Sequence, residues 1–354
     1  MPMTRHAAAG AVRALALALT AGLVILLLCL TGWSTGARAQ TYGACTVAPA
    51  AISLGSAGSY TVESQAQSGS GASGLSCGGL LTLAATSYIK VRIDSSTFLL
   101  TGPGSQTVPF TLSSTSGGAA LAVGSEADLS TTALLTLFSG PNGSIPLYVR
   151  TAPTAGLAAG TYTGTVTVRW YFSVCGVGAL TICTFASNSP GVVRNYVTGA
   201  FTNWGTGAPT TVTVTLQVLP DCQITAPDLT FGTAPLVGSF SAVTRTIAVR
   251  CSKGSTYSVG LGNGQNFSST RRMRLGASTN YLNYEIYRGT SVSAGRWGSA
   301  IAGERRSSGT ADSNPGIYDA STLQGFTYRA VIDPAQVTPT AGTYTDTVIV
   351  DITF

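Results

Sequence analysis

The sequence predicts an all-β protein that consists of two β-sandwich domains in tandem. Only 9% of the 354 residues are charged and 43 are glycine, and short runs of Val, Thr, Tyr and Ile alternate with Gly/Ser/Pro clusters, as strands and turns do. One strand motif occurs twice, as AAGTYTGTVTV from Ala158 and as AGTYTDTVIV from Ala341. A spacing of cysteines also occurs twice. The chain has the length of about two domains, which agrees with a duplication.

The N-terminus predicts a signal peptide, residues 1–39, that is not part of the fold. Arg5 and Arg13 precede an apolar run over residues 14–30, and ARAQ at residues 37–40 supplies a small-residue cleavage signal. The alternative is an uncleaved membrane anchor. The run is slightly short for a membrane span and a cleavage site follows it, so we favour removal.

Loss of the signal peptide limits the chemistry of the mature chain. Three arginines leave, so the net charge falls from +6 to +3, and the only histidine, His6, leaves with them. The mature chain then has no histidine for a nucleophile–base dyad or for a metal site. This low net charge is weak support for a nucleic-acid partner.

The acidic residues give little support for catalysis. Asp221 with Asp228, or Glu126 with Asp128, are the candidate carboxylate pairs for glycoside hydrolysis. Isolated loop carboxylates are usually solvated, so we expect no enzyme, no cofactor and no metal site.

Two residue sets in the C-terminal half suggest binding, but simpler interpretations are favoured. The arginines, which we expect on a solvated face, are Arg271, Arg272 and Arg274. The aromatic residues, which we expect in strands and cross-strand pairs rather than in a carbohydrate site, are Tyr281, Tyr284, Tyr287, Trp297 and Tyr328.

Six cysteines remain, and they give the domain organisation. Two pairs have similar separations, and each encloses alternating apolar residues, a Pro, a Gly and a second strand. This repeat predicts a duplicated unit whose first two strands are bridged, and it leaves one pair for a short local loop. An even number of cysteines in an exported chain favours disulfides. The predicted disulfides are Cys45–Cys77, Cys222–Cys251 and Cys175–Cys183.

The domain boundary is predicted at Pro220, because proline cannot donate to a sheet ladder and should interrupt the strand before Cys222. The N-terminal domain is then residues 40–219 and the C-terminal domain residues 220–354.

The C-terminal half resembles the spore coat protein U domain family, the pilin domain of archaic chaperone–usher pili. The resemblance rests on Cys222 and on six motifs in order, at residues 229–232, 249–261, 264–273, 282–287, 297–298 and 341–354. The N-terminal half matches only at its cysteines and its Gly-Thr-Tyr strand. The resemblance implies two immunoglobulin-like sandwiches, the second of which lacks its last strand.

The last strand has one apolar face, formed by Val348, Val350, Ile352 and Phe354. In pilin domains a periplasmic chaperone lends the missing strand, and in the fibre the N-terminal extension of the next subunit replaces it. The resemblance therefore implies a donor-strand acceptor groove along these residues. From the residues alone, an ordinary closed sandwich is the alternative.

The first copy of the motif is followed by residues 210–218, in which Val212, Val214, Leu216 and Val218 alternate with polar residues. We expect this run to supply the missing strand in cis. Cleavage after Ala39 leaves only residues 40–44 before Cys45, whereas a donor extension would need roughly ten or more alternating residues to pair along a strand of normal length. The resemblance then implies a subunit at the pilus tip, where two-domain subunits are adhesins.

The connection over residues 173–209 is expected to be a long, disulfide-pinned loop at the pole farthest from the pilus shaft. Its apolar residues suit contact with hydrophobic surfaces. The alternative is that they pack under the loop as a small core. The candidate binding residues are Val174, Val177, Leu180, Ile182, Phe185, Phe201 and Trp204.

The resulting hypothesis is a tip adhesin that mediates surface attachment and biofilm formation. Its expected partners are a periplasmic chaperone, an outer-membrane usher, an adjacent pilin subunit that donates a strand, and an unknown surface. We expect export through the periplasm to the cell surface. The alternatives are a structural pilus or secreted coat-like protein without a distal binding site, and a secreted carbohydrate-active enzyme.

Overall fold

The computed structural model describes residues 39–354 apart from positions 79, 80, 84, 132, 180, 181, 196, 197 and 199. All but the last residue of the predicted signal peptide, and Leu180 of the predicted binding loop, therefore lie outside the described residues. Strands dominate both halves, which confirms the all-β fold class.

The described residues of the first half contain fifteen strands and two short helices. They are β1 Gln40–Tyr42, β2 Cys45–Val47, β3 Ala50–Gly58, α1 Ser59–Ser64, β4 Ser68–Cys77, β5 Leu81–Leu83, β6 Tyr88–Ser96, β7 Leu99–Thr101, β8 Thr107–Ser113, β9 Glu126–Asp128, α2 Leu134–Leu137, β10 Ser144–Thr151, β11 Gly160–Ala179, β12 Ile182–Asn188, β13 Val193–Arg194, β14 Phe201–Asn203 and β15 Ala208–Leu219.

The second half adds nine strands. They are β16 Cys222–Thr225, β17 Val243–Cys251, β18 Ser258–Leu261, β19 Arg271–Leu275, β20 Tyr281–Arg288, β21 Arg306–Ser307, β22 Gln324–Ile332, β23 Tyr344–Thr345 and β24 Val350–Thr353. Single 3₁₀ turns lie at Pro103–Ser105, Pro141–Gly143, Val237–Ser239, Val292–Ala294, Ala302–Glu304 and Ser308–Thr310.

The first half folds as one curled sheet in the order β1-β2-β4-β10-β8-β7-β11-β15-β3, and β5, β6 and β12 also pair with β11. The curl brings β3 against β4. The two layers of this sandwich are therefore parts of one continuous ladder. β11, which contains the first copy of the repeated motif, is its longest strand at 20 residues.

β15 is the strand that completes this sandwich. It pairs antiparallel with β11, from Gly160 opposite Val218 to Trp170 opposite Ala208, and its other edge pairs parallel with β3. β15 contains the whole of the predicted run 210–218, so the prediction that this run forms a strand beside the motif is confirmed. Its inward face also includes Ala208 and Thr210, and the four alternating apolar residues of the predicted run are all fully buried: Val212, Val214, Leu216 and Val218.

The core of the first sandwich is centred on aromatic residues of β11. Tyr162, Trp170 and Phe172 are fully buried. The polar ends of two of them have partners: Trp170 Nε1 donates to the Ser73 carbonyl over 3.1 Å, and the Tyr162 hydroxyl donates to the Ala158 carbonyl over 3.0 Å. Satisfied polar atoms allow such large side chains to be buried at little cost.

The second half forms two sheets, in the orders β16-β17-β22-β20-β19-β23 and β21-β18-β24. They enclose a separate core in which Trp297 and Phe326 are fully buried. Trp297 Nε1 donates to the Val259 carbonyl over 3.0 Å. The two separate cores confirm two β-sandwich domains in tandem.

Three disulfides join cysteines of the described ranges, and they are the three predicted pairs. Cys45–Cys77 joins neighbouring positions of β2 and β4, and Cys222–Cys251 joins neighbouring positions of β16 and β17. The Cα atoms of these pairs are 4.1 and 4.0 Å apart. Each sandwich therefore begins with the same cross-strand bridge. The third disulfide is Cys175–Cys183.

The expectation of a long loop over residues 173–209 is wrong. β11 continues to Ala179 and pairs with β12, so residues 173–179 and 182–188 form an antiparallel strand pair, called here the hairpin of residues 173–188, whose strands the disulfide joins. β13 and β14 form a second, small ladder. Register shifts on either side of Val177 interrupt the hairpin. Such bulges break the period of two by which a strand is recognised in a sequence.

The prediction of a solvated arginine face is also wrong for Arg271, because its side chain is fully buried. Its guanidinium forms an ion pair with Glu285 and donates to the carbonyls of Leu261 and Trp297, each over 2.8 Å. Burial lowers the pKa of Arg271, and Glu285 opposes that shift. A buried charge with this many partners is a structural tie between strands rather than a surface group.

The two sandwiches touch through a polar contact beside the β15–β16 connection. Ser59 Oγ lies 2.7 Å from Ser252 Oγ, and the Tyr60 hydroxyl donates to the Ala320 carbonyl over 3.0 Å. Burial raises the pKa of Tyr60 to about 12, so this hydroxyl keeps its proton at neutral pH. No helix among the described residues is long and apolar enough to cross a membrane.

Leu216→Ala should destabilise the first sandwich by about 2–5 kcal/mol, because it removes a fully buried side chain from the strand that completes the core. Thr213→Ala, on the outward face of the same strand, is the matched control and should change stability by about 0.5 kcal/mol or less. Differential scanning calorimetry of the chain measures both. Equal losses in the two variants would contradict the assignment of β15 as a core strand.

Candidate functional site

The second copy of the repeated motif has only one hydrogen-bonded edge. β23 pairs with β19, and β24 pairs with β18 from Leu261 opposite Val350 to Ser258 opposite Thr353. Between them Gly262 N donates to the Ile349 carbonyl over 2.8 Å. Within the described part of the chain, no strand pairs with the other edge of residues 344–353. An exposed edge of this kind can accept a further strand.

Residues 226–236 face this edge and form no β-ladder with any other segment of the described chain. They follow β16 as β3 follows β2 in the first sandwich, and each segment contains a glycine of positive φ, Gly55 at 75° and Gly232 at 76°. In the first sandwich β3 pairs with β15. The equivalent segment of the second sandwich has no strand beside it.

A groove lined mainly by apolar side chains lies between these two segments. It consists of two cavities of about 430 and 380 Å³ that share part of their lining, so they form one channel. The shared lining residues are Leu229, Phe231, Met273 and Tyr344. We call this channel the acceptor groove.

Two carboxylates line the acceptor groove: Asp228 is exposed at its rim, and Asp346 lies deeper. Asp346 is half-buried and lines the wider cavity. Its Oδ2 accepts from the Tyr284 hydroxyl over 2.7 Å, and its Oδ1 accepts from Gln265 N over 2.9 Å. Burial, and next the hydrogen bond to Asp346, raise the pKa of Tyr284 far above its usual value. The tyrosine is therefore a permanent hydrogen-bond donor to this carboxylate.

Burial of the repeated motif differs between the two copies. In the first sandwich Tyr162, Val166, Val168, Trp170 and Phe172 are all fully buried. Their counterparts are Tyr344, Val348, Val350, Ile352 and Phe354. The first four counterparts are half-buried, and Phe354 is 54% exposed. The same pattern is thus covered where β15 is present and partly open where it has no counterpart.

The structure brings together part of the predicted groove set. Val348 and Val350 line the cavity. Ile352 lies opposite Val259 in the ladder and packs against the core without lining the cavity. Phe354 lies at the exposed end of the segment. Sequence reasoning missed residues 226–236, the segment on the opposite side of the groove, which we call the facing bank. Alignment of APAAISLG with APDLTFG would have pointed to it.

The predicted binding residues of the first sandwich separate into three groups. Val174 is fully buried and belongs to the main core. Val177, Ile182 and Phe185 are 42%, 52% and 71% exposed on the hairpin of residues 173–188. The hairpin extends beyond Trp170, where pairing with β15 ends, by about 30 Å at the usual rise of a strand.

Phe201 and Trp204 are half-buried beside the hairpin rather than on it. Phe201 stacks on Tyr88 with ring centroids 4.7 Å apart and contacts Trp204 at 4.3 Å. Lys90 Nζ lies 4.5 Å from the centre of the Trp204 ring. These contacts fasten β14 to β6 and account for much of the burial of both aromatic side chains.

The candidate carboxylate pairs do not form a shared acidic site. Glu126 forms an ion pair with Lys90 at 3.6 Å, and Asp128 accepts from Ser130 N. Asp221 accepts from the backbone at the domain junction, and Asp228 lies on the rim of the acceptor groove. Across the described ranges, no cluster of three or more His, Cys, Asp or Glu residues could hold a metal ion.

A solved structure is similar to most of this chain. It is a chain of the CsuC–CsuE chaperone–tip adhesion subunit pre-assembly complex from archaic chaperone–usher Csu pili of Acinetobacter baumannii, with 32% identity and a TM-score of 0.67 over 88% of this chain and 100% of that chain. No curated protein matches the sequence.

Two further structures are much more distant. A chaperone–tip adhesin complex of CFA/I fimbriae biogenesis has 11% identity and a TM-score of 0.26, over 89% of this chain and 98% of that chain. The CupB6 tip adhesin of Pseudomonas aeruginosa has 10% identity and a TM-score of 0.25, over 81% and 85% of the two chains. Similarity as distant as this does not bear on the function of the chain.

Residues 34–169 and 208–351 each match the spore coat protein U domain. The expectation that the N-terminal half matches only at its cysteines and one strand is wrong, since the first match covers most of it. The second match begins at residue 208, where β15 begins. The chain belongs to the spore coat protein U domain family.

Proposed function

We propose that this chain is the tip adhesin subunit of a chaperone–usher pilus. Its second sandwich accepts a strand from another chain, and its first sandwich attaches the pilus to a surface and supports biofilm formation. The signal peptide, residues 1–39, directs export through the periplasm to the cell surface.

The observation that carries the proposal is the contrast between the two copies of the Gly-Thr-Tyr strand. In the first sandwich β15 pairs with β11 and with β3, and the inward face of β11 is fully buried. In the second sandwich the same two banks are present, but among the described residues nothing lies between them. An extended segment with one apolar face fits this groove by strand addition.

β15 also indicates where such a segment comes from. It belongs to the second family match, which begins at residue 208, yet it completes the first sandwich. The segment that precedes the second domain is thus inserted into the domain before it. Donation of an N-terminal extension to the neighbouring subunit repeats this arrangement between chains.

The proposed partners follow from this arrangement. The similar solved complex contains a chaperone and a tip adhesion subunit, which supports a periplasmic chaperone as the first occupant of the acceptor groove. We propose an adjacent pilin subunit as the second occupant and an outer-membrane usher as the site of exchange between them.

The proposed surface-binding element is the hairpin of residues 173–188. It lies in the stretch 170–207, outside both family matches, so it is an addition to the repeated domain. It exposes Val177, Ile182 and Phe185 at the end of the sandwich opposite the β15–β16 connection. Apolar side chains on a strand held by a disulfide can contact a hydrophobic surface with little loss of conformational entropy.

The two proposed domains should behave differently when they are produced separately in the periplasm. Residues 40–219 should be soluble and monomeric and should unfold cooperatively. Residues 220–354 should aggregate unless a chaperone or a strand peptide is supplied, because the apolar groove and its strand edge are open. Size-exclusion chromatography and thermal melting measure this. A second domain that is monomeric and stable alone would contradict the proposal.

Val348→Lys should reduce formation of the chaperone complex about tenfold or more, because it places a charge where the incoming strand must bury apolar surface. Ile349→Lys is the matched control: this neighbour is 70% exposed on the opposite face of the strand and should have little effect. Co-purification of each variant with the chaperone gives the comparison. Equal effects would argue against a strand in the groove.

The double variant Ile182→Ser and Phe185→Ser should lower adhesion to a hydrophobic plastic surface about tenfold, because it removes exposed apolar contacts from the hairpin. Its melting temperature should be unchanged, since both side chains are exposed. Val123→Ser is the control, because Val123 is also 52% exposed but lies outside the hairpin. Unchanged adhesion of the double variant would exclude this hairpin as the binding element.

A further inference from the structure

We infer that Asp346 selects the strand that enters the acceptor groove: the inward residue opposite this carboxylate must donate a hydrogen bond. The inference rests on the proposed function, because it assumes that a strand of another polypeptide occupies the groove. It adds a rule for the sequence of that strand.

The position opposite Asp346 is fixed by the first sandwich. Aligned on Gly-Thr-Tyr, Gly164 of β11 corresponds to Asp346. Gly164 pairs with Val214 of β15, and Val214 pairs on its other side with Ile52 of β3. The equivalent strand residue in the second sandwich would lie between Asp346 and the facing bank of the groove, in the cavity that Asp346 lines.

The first sandwich has no room for a side chain at Gly164. A Cβ there would lie 2.6 Å from the Leu99 carbonyl oxygen and about 3 Å from Leu100 and Phe110. The apolar Val214 therefore has only apolar neighbours and backbone on this side. The second sandwich has room for a carboxylate at the same place, and it holds that carboxylate with two hydrogen bonds.

Those two bonds do not saturate Asp346. A carboxylate has about four acceptor sites, whereas Asp346 accepts from the Tyr284 hydroxyl on one oxygen and from Gln265 N on the other. While the groove is open, water can reach the half-buried carboxylate. A strand that covers the groove removes this water, and an apolar residue opposite Asp346 cannot donate a hydrogen bond in its place. A hydroxyl or amide group at that position replaces the lost hydrogen bond.

This asymmetry makes the acceptor groove a poor site for β15 of a second copy, which would place Val214 against the carboxylate. A strand with Thr, Ser or Asn at that position satisfies it. Asp346 is therefore a specificity residue that acts through the cost of an unpaired charge, a common way to reject an incorrect partner.

The test uses the mature chain, residues 40–354, extended after Phe354 by a short hairpin linker and a copy of residues 208–218. This copy runs antiparallel to residues 344–354, with its Val214 position opposite Asp346. One fusion keeps Val at that position and a second carries Val→Thr, which is nearly isosteric. Both are made with Asp346 and with Asp346→Ala, and calorimetry gives the melting temperature of the second sandwich.

With Asp346 present, the Thr fusion should melt about 3 °C or more above the Val fusion. In the Asp346→Ala background the order should reverse, because the hydroxyl then has no partner. The control is Val→Thr at the copied Val212 position, opposite Val348, which should lower the melting temperature in both backgrounds. The four fusions form a double-mutant cycle, so losses common to both backgrounds cancel.

Two failures can be distinguished. If the fused strands stabilise the second sandwich but Val and Thr keep the same order in both backgrounds, the role of Asp346 is overturned and the proposed function stands. If no fused strand raises the melting temperature above that of the unfused chain, the groove does not accept a strand. Both proposals are then overturned.

Discussion

Coverage of the Gly-Thr-Tyr strand by a neighbouring strand is the interaction on which both sandwiches depend. In the first sandwich β15 supplies a full ladder to β11 and four buried aliphatic side chains. Each buried side chain contributes about 1.5–3 kcal/mol and each net hydrogen bond roughly 0.5–1.5 kcal/mol, so one strand supplies a large part of the stability of a domain. The second sandwich has a corresponding core and the same two segments on either side of the groove. None of its described residues supplies the strand between them. Its stability therefore depends on what occupies the groove.

The strand that completes the first sandwich also connects it to the second. β15 leads directly into β16, which the disulfide Cys222–Cys251 fixes to β17. Beside this connection, Ser59 with Ser252 and Tyr60 with Ala320 join the two domains. A pull on the second sandwich is therefore transmitted along the axis of β15. Because its ladder bonds to β11 are perpendicular to that axis, they are loaded together and not one after another, which suits the proposed role of a subunit that holds a surface under tension.

The sequence was sufficient for features that repeat and insufficient for features that occur once. The two bridged cysteine pairs, the strand at residues 210–218 and the apolar face of the last strand could be predicted because each has a counterpart or a clear period of two. The hairpin of residues 173–188 could not, since bulges around Val177 hide its alternation. Neither could the burial of Arg271, because its partners, Glu285 and three backbone carbonyls, converge only in the folded chain. The facing bank of the groove was missed for a different reason: residues 226–236 have no ladder, so nothing in their pattern marks them as half of a site.

The most informative difference between the two copies is one residue inside the repeated motif. A strand that is part of the same chain, such as β15, needs no selection, because its effective concentration beside the groove is high. Gly164 accordingly leaves only close-packed apolar contacts at that point. Under the proposed function, a strand that arrives from another chain competes with other extended apolar segments in the periplasm. A groove with only apolar contacts distinguishes poorly among such segments, because hydrophobic burial is not directional. A single half-buried carboxylate, held in place by Tyr284 and Gln265, adds the directional requirement that apolar packing lacks. Under this proposal, the change from Gly164 to Asp346 separates a groove that is filled from within the chain from one that selects its partner.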